Sequence, residues 1–455
     1  MFLLIGSVGL MFNAHSLNPS IANLSALAMG IYGLALSRRR PWCAACLLGL
    51  AIALAFLSGG LNSTLILVLT ALCLPVCFAD WRTPRLAMVL ISAGMMASVP
   101  ILLWAMLLSQ HDPKLLVRFF TTHLYHLHQQ IETGHTHFGY FATVLLWYAW
   151  PALPLGLWGW WQHRHRVEYH YQLQISTVFA LVSWGVLGTV AADKDIYALP
   201  LLLPFAIVGA SAINTLKRGA ATALYGFGCA LFGLVVMVSW LSSYAMYSTH
   251  PAKVYARLQF LSGLNHSAVS WLVLFMAGGL TVAWLWLSLR SHLSNSRIIT
   301  HWAMGMTVTW GLWMTLWLPL FDHAKSYGPI WQDLEHVLAG KSSCVHTNVH
   351  QPQRMLLRYY THLKLVPVMV GVPLSCDFYL VRDSKNEPQL MPPVGEWRLI
   401  WQRARPADRK ESFRLLERDY FAKVRQAETF AKVGERDEVQ GVRNTGGETY
   451  QRDRR

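Results

Sequence analysis

Leu86–Leu108 reads LAMVLISAGMMASVPILLWAMLL, an uncharged stretch approached past Arg82 and Arg85 and left toward His111 and Asp112. A helix needs about 20 apolar residues to cross the hydrocarbon core of a bilayer, so this stretch reads as a membrane span. The same pattern recurs along the chain. Eleven candidate runs are found: 2–12, 21–36, 42–58, 63–79, 86–108, 138–161, 174–191, 196–213, 221–242, 267–288 and 298–319. The first is short of a full span. A signal peptide does not explain it, because no basic residue precedes it and no clear small-residue cleavage site follows before the next run.

Charge is distributed to match. Of 455 residues, 54% are hydrophobic and 13% charged, against about a quarter charged in ordinary soluble domains. Residues 1–320 hold 16 basic and 6 acidic residues, and residues 321–455 hold 22 and 17. The first part is therefore membrane-like and the last part soluble. This division excludes one large globular enzyme, a disordered chain and a nucleic-acid-binding module. The net charge of +15 belongs mostly to loops between apolar runs, where it serves topology.

The loops alternate in sign. One set carries Arg38, Arg39, Arg40, Arg82, Arg85, Arg164, Arg166, Lys217, Arg218, Arg290 and Arg297 against Asp80 and Glu168. The other set carries only Lys114, Arg118, Lys194, Lys253 and Arg257, spread over much longer loops. Positive-inside bias assigns the first set to the cytoplasm. Loops 109–137 and 243–266, and everything after 320, then lie outside. Many of the 20 Trp lie near run ends (Trp42, Trp81, Trp160, Trp161, Trp302). They read as interfacial anchors, with sugar stacking by outward-facing aromatics as the second reading.

The sequence thus predicts three parts: a transmembrane domain over 1–320, an extracytoplasmic α/β domain over 321–410, and a charged tail over 411–455. Within the second, Ser343–Val349, Leu365–Val370, Asp377–Val381 and Glu396–Gln402 read as strands. Gln351–Leu363 reads as a helix opened by Pro352. In the tail, 411–433 reads as a surface helix and 434–455 as disordered. Cys344 and Cys376 each start a strand on the oxidising side, so they are either a disulfide or two thiols. Cys43 and Cys46 have redox or zinc spacing, but inside an apolar helix they read as small packing residues.

Function belongs where ionisable groups meet the outer interface. Loop 109–137 carries six of the nineteen His, with Asp112, Lys114, Arg118 and Glu132. Leu115–Gln130 has the spacing of a helix lying on the membrane surface. On such a helix His123 and His126 share a face and, with Glu132 or His135, form a candidate site for a divalent metal. The other reading is an interfacial helix rich in amphipathic His, with no cofactor required. At the second place, Asp193-Lys194-Asp195-Ile196-Tyr197, a span begins at the outer face. Lys194 and Tyr197, one turn apart, can both donate hydrogen bonds to one anion there. Taken alone, they also read as a helix-start anchor.

Lys194-x-x-Tyr197-x-Leu199-Pro200, followed by Leu201-Leu-Leu-Pro204-Phe-Ala-Ile-Val-Gly-Ala, resembles the signature of C-superfamily membrane glycosyltransferases. In particular it resembles that of the aminoarabinose transferases of lipid A and the protein O-mannosyltransferases. Gly49-Leu-Ala-Ile-Ala-Leu-Ala-Phe-Leu-Ser58-Gly-Gly resembles their glycine-marked span, with Gly59 where the family has Lys. Phe138-Gly-Tyr140-Phe with Trp150-Pro151-Ala-Leu-Pro154 resembles the span after their large outer loop. Arg118-Phe119-Phe120 and His123 sit where the family has an aromatic, His-bearing amphipathic segment. Trp397-Arg-Leu-Ile-Trp401 through Arg405-Pro406-Ala-Asp408-Arg409 resembles the end of the extracytoplasmic domain. The resemblance runs from about residue 15 to 415. One departure matters: the family usually has thirteen spans and an acidic first outer loop whose Asp is taken as the catalytic base. This chain has no matching carboxylate, so it is expected to lack two leading spans and to be inactive alone or part of a longer enzyme.

The resemblance implies a bacterial inner-membrane enzyme whose C-terminal domain is periplasmic. Its donor would be a sugar on a polyprenyl phosphate, held among membrane lipids. Its acceptor would be a periplasmic hydroxyl or phosphate on lipid A, a glycan or a protein. Lys194 and Tyr197 would hold the donor phosphate, and Arg118 and His123 would belong to the loop covering the site. Two other readings stay open. A transporter or lipid flippase predicts paired ionisable residues in mid-membrane and inverted repeats, and the spans show no charge and no clear repeat. A non-catalytic membrane subunit would use its outer α/β domain to bind a partner.

Overall fold

The computed structural model describes the chain except residues 17, 122–135, 166, 168–169, 192, 265–269, 291–294, 340, 342–343, 369–374, 385–396, 406–407 and 420–455. The chain divides into two compact units, Met1–Ser239 with Trp271–Thr315, and Trp240–Ser270 with Leu316–Arg455. The first unit is helical. In chain order the helices are α1 (Phe2–Ile5), α2 (Val8–Asn13), α3 (Pro19–Leu36), α4 (Pro41–Cys77), α5 (Pro84–His111) and α6 (113–121). They continue with α7 (Phe138–Tyr148), α8 (Ala152–His163), α9 (Tyr171–Val190), α10 (Leu199–Ala212) and α11 (Arg218–Ser248), whose residues from Trp240 on are counted with the second unit. After α12 (Ala252–Ser262), which belongs to the second unit, come α13 (Trp271–Leu289) and α14 (Asn295–Thr315).

The protein is an α-helical polytopic membrane protein, but apolar runs and unbroken helices do not map one to one. Among the described residues seven helices are long and apolar enough to cross a membrane, or eight if the bent pair α7–α8 counts as one span. Runs 42–58 and 63–79 form the single element α4, broken at Gly60 (φ 67°, ψ −156°). That conformation is open to glycine and strained for other residues. A straight helix of 37 residues would be about 55 Å long, nearly twice the hydrocarbon thickness of about 30 Å, so the break divides α4 into two span-length pieces. Run 138–161 bends by 104° between α7 and α8, where Pro151 has no N–H to continue the helix. Run 2–12 is the two short helices α1 and α2.

Helices without charged residues must attract one another by close fit, since lipid is as apolar as their side chains. The α8–α10 contact shows how. A methyl group at Gly156 would stand 3.0 Å from the Phe205 carbonyl oxygen, and one at Gly159 would stand 2.8 Å from that of Val208. The two backbones therefore meet directly. This makes α10 the most enclosed span, with 72% of its window buried against 11% for α13. Leu199, Leu201, Leu202, Leu203 and Val208 all face inward. The segment that begins α10 is thus held by the best-packed helix of the unit.

The second unit contains α15 (Leu318–Lys325), α16 (Gly328–Leu338) and α17 (Gln351–Tyr360) with five strands: β1 (Cys344–Thr347), β2 (Lys364–Pro367), β3 (Phe378–Ser384), β4 (Trp397–Arg405) and β5 (Asp408–Arg418). The sheet order is β2-β1-β3-β5-β4. β1 is parallel to β2 and β3, and β5 is antiparallel to β3 and β4. The core gathers Trp331, Leu334, Val345, Leu357, Leu380, Phe413 and Leu415, with the Trp331 and Phe413 rings 4.7 Å apart.

β5 corrects the helix expected over 411–433: its described part is a strand to Arg418, and the α/β fold extends past 410. Phe413 and Leu415 alternate inward at period two, and a partner strand on each side supplies the hydrogen bonds that a helix would otherwise make internally. The rest of that expected helix, and the expected disordered segment, lie outside the described residues.

Glu411 anchors this sheet from inside. It is 5% exposed. Its carboxylate accepts from Arg382 Nε (2.6 Å), an Arg405 NH2 group (2.7 Å), Tyr327 Oη (2.9 Å) and Gln353 Nε2 (2.7 Å). Cys344 and Cys376 form a disulfide, Cα atoms 5.4 Å apart, tying the start of β1 to the residues just before β3.

Candidate functional site

The segment 193–198 leaves α9 and enters α10 as a short turn. Lys194 is extended (φ −132°, ψ 130°), and Asp195–Ala198 form one 3-10 turn. The Tyr197 N–H donates to the Lys194 carbonyl at 3.1 Å, which closes it. Asp195 accepts from the Ile196 N–H at 3.1 Å, so this carboxylate also serves the turn. The Lys194 side chain is exposed, Tyr197 is 40% exposed, and Ala198 and Leu199 are buried. The turn thus roots an apolar end in the bundle and presents an ammonium and a phenol at the surface.

The start of α7 lies against this turn. His137 Nδ1 is 2.6 Å from Asp193 Oδ1, and the His137 N–H donates to the Gly188 carbonyl at 2.9 Å. Phe138, next along, stacks on Trp184 of α9 with centroids 6.4 Å apart and planes 20° apart. This contact requires a glycine: a methyl group at Gly188 would stand 2.2 Å from the Phe138 ring. Tyr140 lies in the field of both Asp195 and Asp193. Further down α7, the buried Tyr148 Oη accepts from Asn13 Nδ2 at 2.8 Å, and Gly9 lies flat on its ring. The site is therefore a turn carrying Asp193, Lys194, Asp195 and Tyr197, faced by His137 and Tyr140.

The sequence gives no sign that His137 and Asp193 pair. They are 56 residues apart, and nothing in their spacing signals contact. Arg118 belongs to another wall. It is exposed on α6, which Phe119 pins to Trp104 of α5 (5.3 Å) and Phe56 of α4 (6.0 Å). Arg118 and Lys114 line a shallow depression of about 410 Å³ there. Asp112 accepts from the Lys114 N–H (3.0 Å) and so caps the start of α6. The candidate metal ligands His123 and His126, and with them His123 as site cover, lie outside the described residues. Among the described residues no group of three or more His, Cys, Asp or Glu side chains is placed to hold a metal ion.

Compared by sequence, no family profile and no curated protein matches the chain. Compared by structure, it is similar to the crystal structure of ArnT from Cupriavidus metallidurans bound to undecaprenyl phosphate, with a TM-score of 0.56. That match covers 91% of this chain and 77% of the other at 13% sequence identity. At that identity the likeness shows a shared fold: the chain is folded like that membrane protein over most of its length.

Proposed function

We propose that the protein transfers a sugar from a polyprenyl-phosphate donor to an acceptor on the outer face of the bacterial inner membrane, where its α/β domain also lies. The observation that carries this reading is the Lys194–Tyr197 turn at the head of the most enclosed helix, in a fold similar to that of a protein solved with undecaprenyl phosphate. In this role Lys194 supplies a full positive charge to the leaving phosphate and Tyr197 a neutral donor. Both act most strongly as the bond to the anomeric carbon breaks and charge builds on the phosphate oxygen. The acceptor oxygen attacks that carbon from the opposite face, which inverts it. That oxygen belongs to a hydroxyl or phosphate of a lipid A-like lipid, a glycan or a protein.

A hydroxyl acceptor must lose a proton. The pair His137–Asp193 is the proton-accepting group beside the turn among the described residues. Asp193 bonded to Nδ1 fixes the tautomer in which Nε2 is the basic nitrogen. Arg118 and His123 are assigned to the segment that covers the site, with His123 and His126 as candidate ligands for a divalent metal.

The test is direct. Purified protein in lipid, given polyprenyl-phosphate sugar labelled in the sugar, should move label to a membrane acceptor and release polyprenyl phosphate. Transport of the intact donor lipid across the bilayer without release of phosphate would establish the flippase reading instead. Neither outcome, in protein that binds undecaprenyl phosphate, would favour the non-catalytic subunit.

A further inference from the structure

A second cavity, about 360 Å³, opens where α13 ends and α14 begins. It shares no lining residue with the Lys194 turn, and two of its lining residues, Arg290 and Arg297, belong to the basic set that charge alternation assigns to the cytoplasmic face. α13 contributes Trp284, Trp286 and Arg290 to its wall, and α14 contributes Arg297, Thr300 and His301. Spacing of three and four along α14 sets the last three on one helical face.

Three features give the cavity its chemistry. The first is charge. Arg290 and Arg297 are both exposed at the rim, and Arg290 is fixed there by its guanidinium lying 4.7 Å from the Trp286 ring centroid. No acidic residue occurs anywhere in 196–321, so this stretch brings only positive charge to the site. The second is that two of its lining residues, Trp284 and His301, are themselves buried and polar. Trp284 is 5% and His301 6% exposed, and Trp284 Nε1 and His301 Nδ1 have no hydrogen-bond partner among the described residues. The third is an apolar flank. Beside the cavity α13 exposes Val282 (64%), Leu285 (44%) and Leu289 (85%), a strip at span depth on which acyl chains can lie.

Guanidinium groups pair with phosphate through parallel hydrogen bonds, and the volume is that of a small ligand site. Basic pockets at the cytoplasmic ends of spans suit anionic headgroups. We propose that this cavity binds the phosphate of a glycerophospholipid headgroup, with the lipid's chains along Val282, Leu285 and Leu289. The chemistry shared with a soluble phosphate ester is the phosphate, and the α13 strip is what favours the lipid.

Native mass spectrometry of the full-length protein in detergent tests this with phosphatidylglycerol and phosphatidylcholine as probes. The expected result is retention of phosphatidylglycerol at least tenfold better than phosphatidylcholine, and at least a tenfold loss in the double variant Arg290→Ala, Arg297→Ala. Both arginines are exposed, so thermal unfolding of the lipid-free variant should match wild type. The pair Arg290→Lys, Arg297→Lys should recover part of the binding. Equal retention of phosphatidylglycerol by wild type and the double Ala variant overturns the proposal. So does displacement of the bound lipid by millimolar inorganic phosphate, which would assign the cavity to a soluble ligand.

Discussion

One methyl group at Gly188 of α9 should loosen the turn that carries Lys194 and Tyr197. An added Cβ would stand 2.2 Å from Cδ1 and Cε1 of Phe138, whereas carbon atoms rest about 3.5–4.0 Å apart. The ring must therefore retreat by about 1.3 Å or more. It cannot do so alone: it stacks on Trp184, and its neighbour His137 is tied to the Gly188 carbonyl and to Asp193. Overpacking of this kind costs about 1–3 kcal/mol. If that cost falls on opening of the turn, backbone exchange in 193–198 should speed up by roughly 5- to 150-fold. Gly185, one turn earlier on the same helix, supplies the matched control, because a methyl group added there would meet nothing within 4 Å. Gly185→Ala should keep wild-type exchange in the turn and gain up to about 1 kcal/mol of helix propensity. Hydrogen–deuterium exchange read by mass spectrometry, with thermal unfolding followed by tryptophan fluorescence, measures both. Equal exchange and equal unfolding temperatures for Gly188→Ala and Gly185→Ala would refute the coupling of α9 packing to the turn.

Other consequences follow from the same contacts. Asp193→Asn removes the charge that orients His137, and a 1 Å misplacement of a reacting group can cost about 100-fold in rate. Transfer to a hydroxyl acceptor should therefore fall strongly while undecaprenyl phosphate binding stays near wild type; a parallel loss of both would mean that the pair only holds the turn. In the α/β domain, burial alone would raise the pKa of Glu411, but bonds from Arg382 and Tyr327, the charge of Arg405 and the bond from Gln353 hold it below the ordinary carboxylate value. A depressed carboxylate contributes stability above its unfolded pKa and loses it as pH falls through the folded one. Burial also lowers the pKa of His346, so its neutral form is favoured and that contribution fades as pH falls below about 6.5. Circular-dichroism melts of the full protein should show the domain transition dropping below pH 6.5 and again below about pH 4.3. Glu411→Gln should cost on the order of 3–5 kcal/mol at neutral pH, since it leaves two guanidiniums without their counter-charge. Replacing Cys344 and Cys376 by Ala should cost about 3–4 kcal/mol from the freed loop, visible as a lower domain melting temperature with the membrane helices unaffected.

The apolar runs were legible because a bilayer imposes one length and one composition on anything that crosses it. The Lys194–Tyr197 turn was legible for a related reason: a lysine and a tyrosine at the lip of a long apolar run have few uses. What escaped depends on contacts between distant parts of the chain. No local pattern joins His137 to Asp193, whereas the separate runs 42–58 and 63–79 already leave between them the place where Gly60 breaks α4. The bend between α7 and α8 has a local sign in Pro151, though not its size. β5 was hidden by composition: Asp408–Arg418 is rich in charge and reads as a helical surface, until β3 and β4 on either side turn Phe413 and Leu415 inward.

If Lys194 and Tyr197 hold the phosphate of a polyprenyl carrier, affinity for undecaprenyl phosphate in lipid nanodiscs shows it without knowing the sugar or the acceptor. Loss of a charge-assisted hydrogen bond costs about 1.5–3 kcal/mol, so Lys194→Ala should weaken binding by at least tenfold, Tyr197→Phe by less, and Lys194→Arg should retain most of it. Undiminished affinity in a folded Lys194→Ala, Tyr197→Phe double variant would contradict the account.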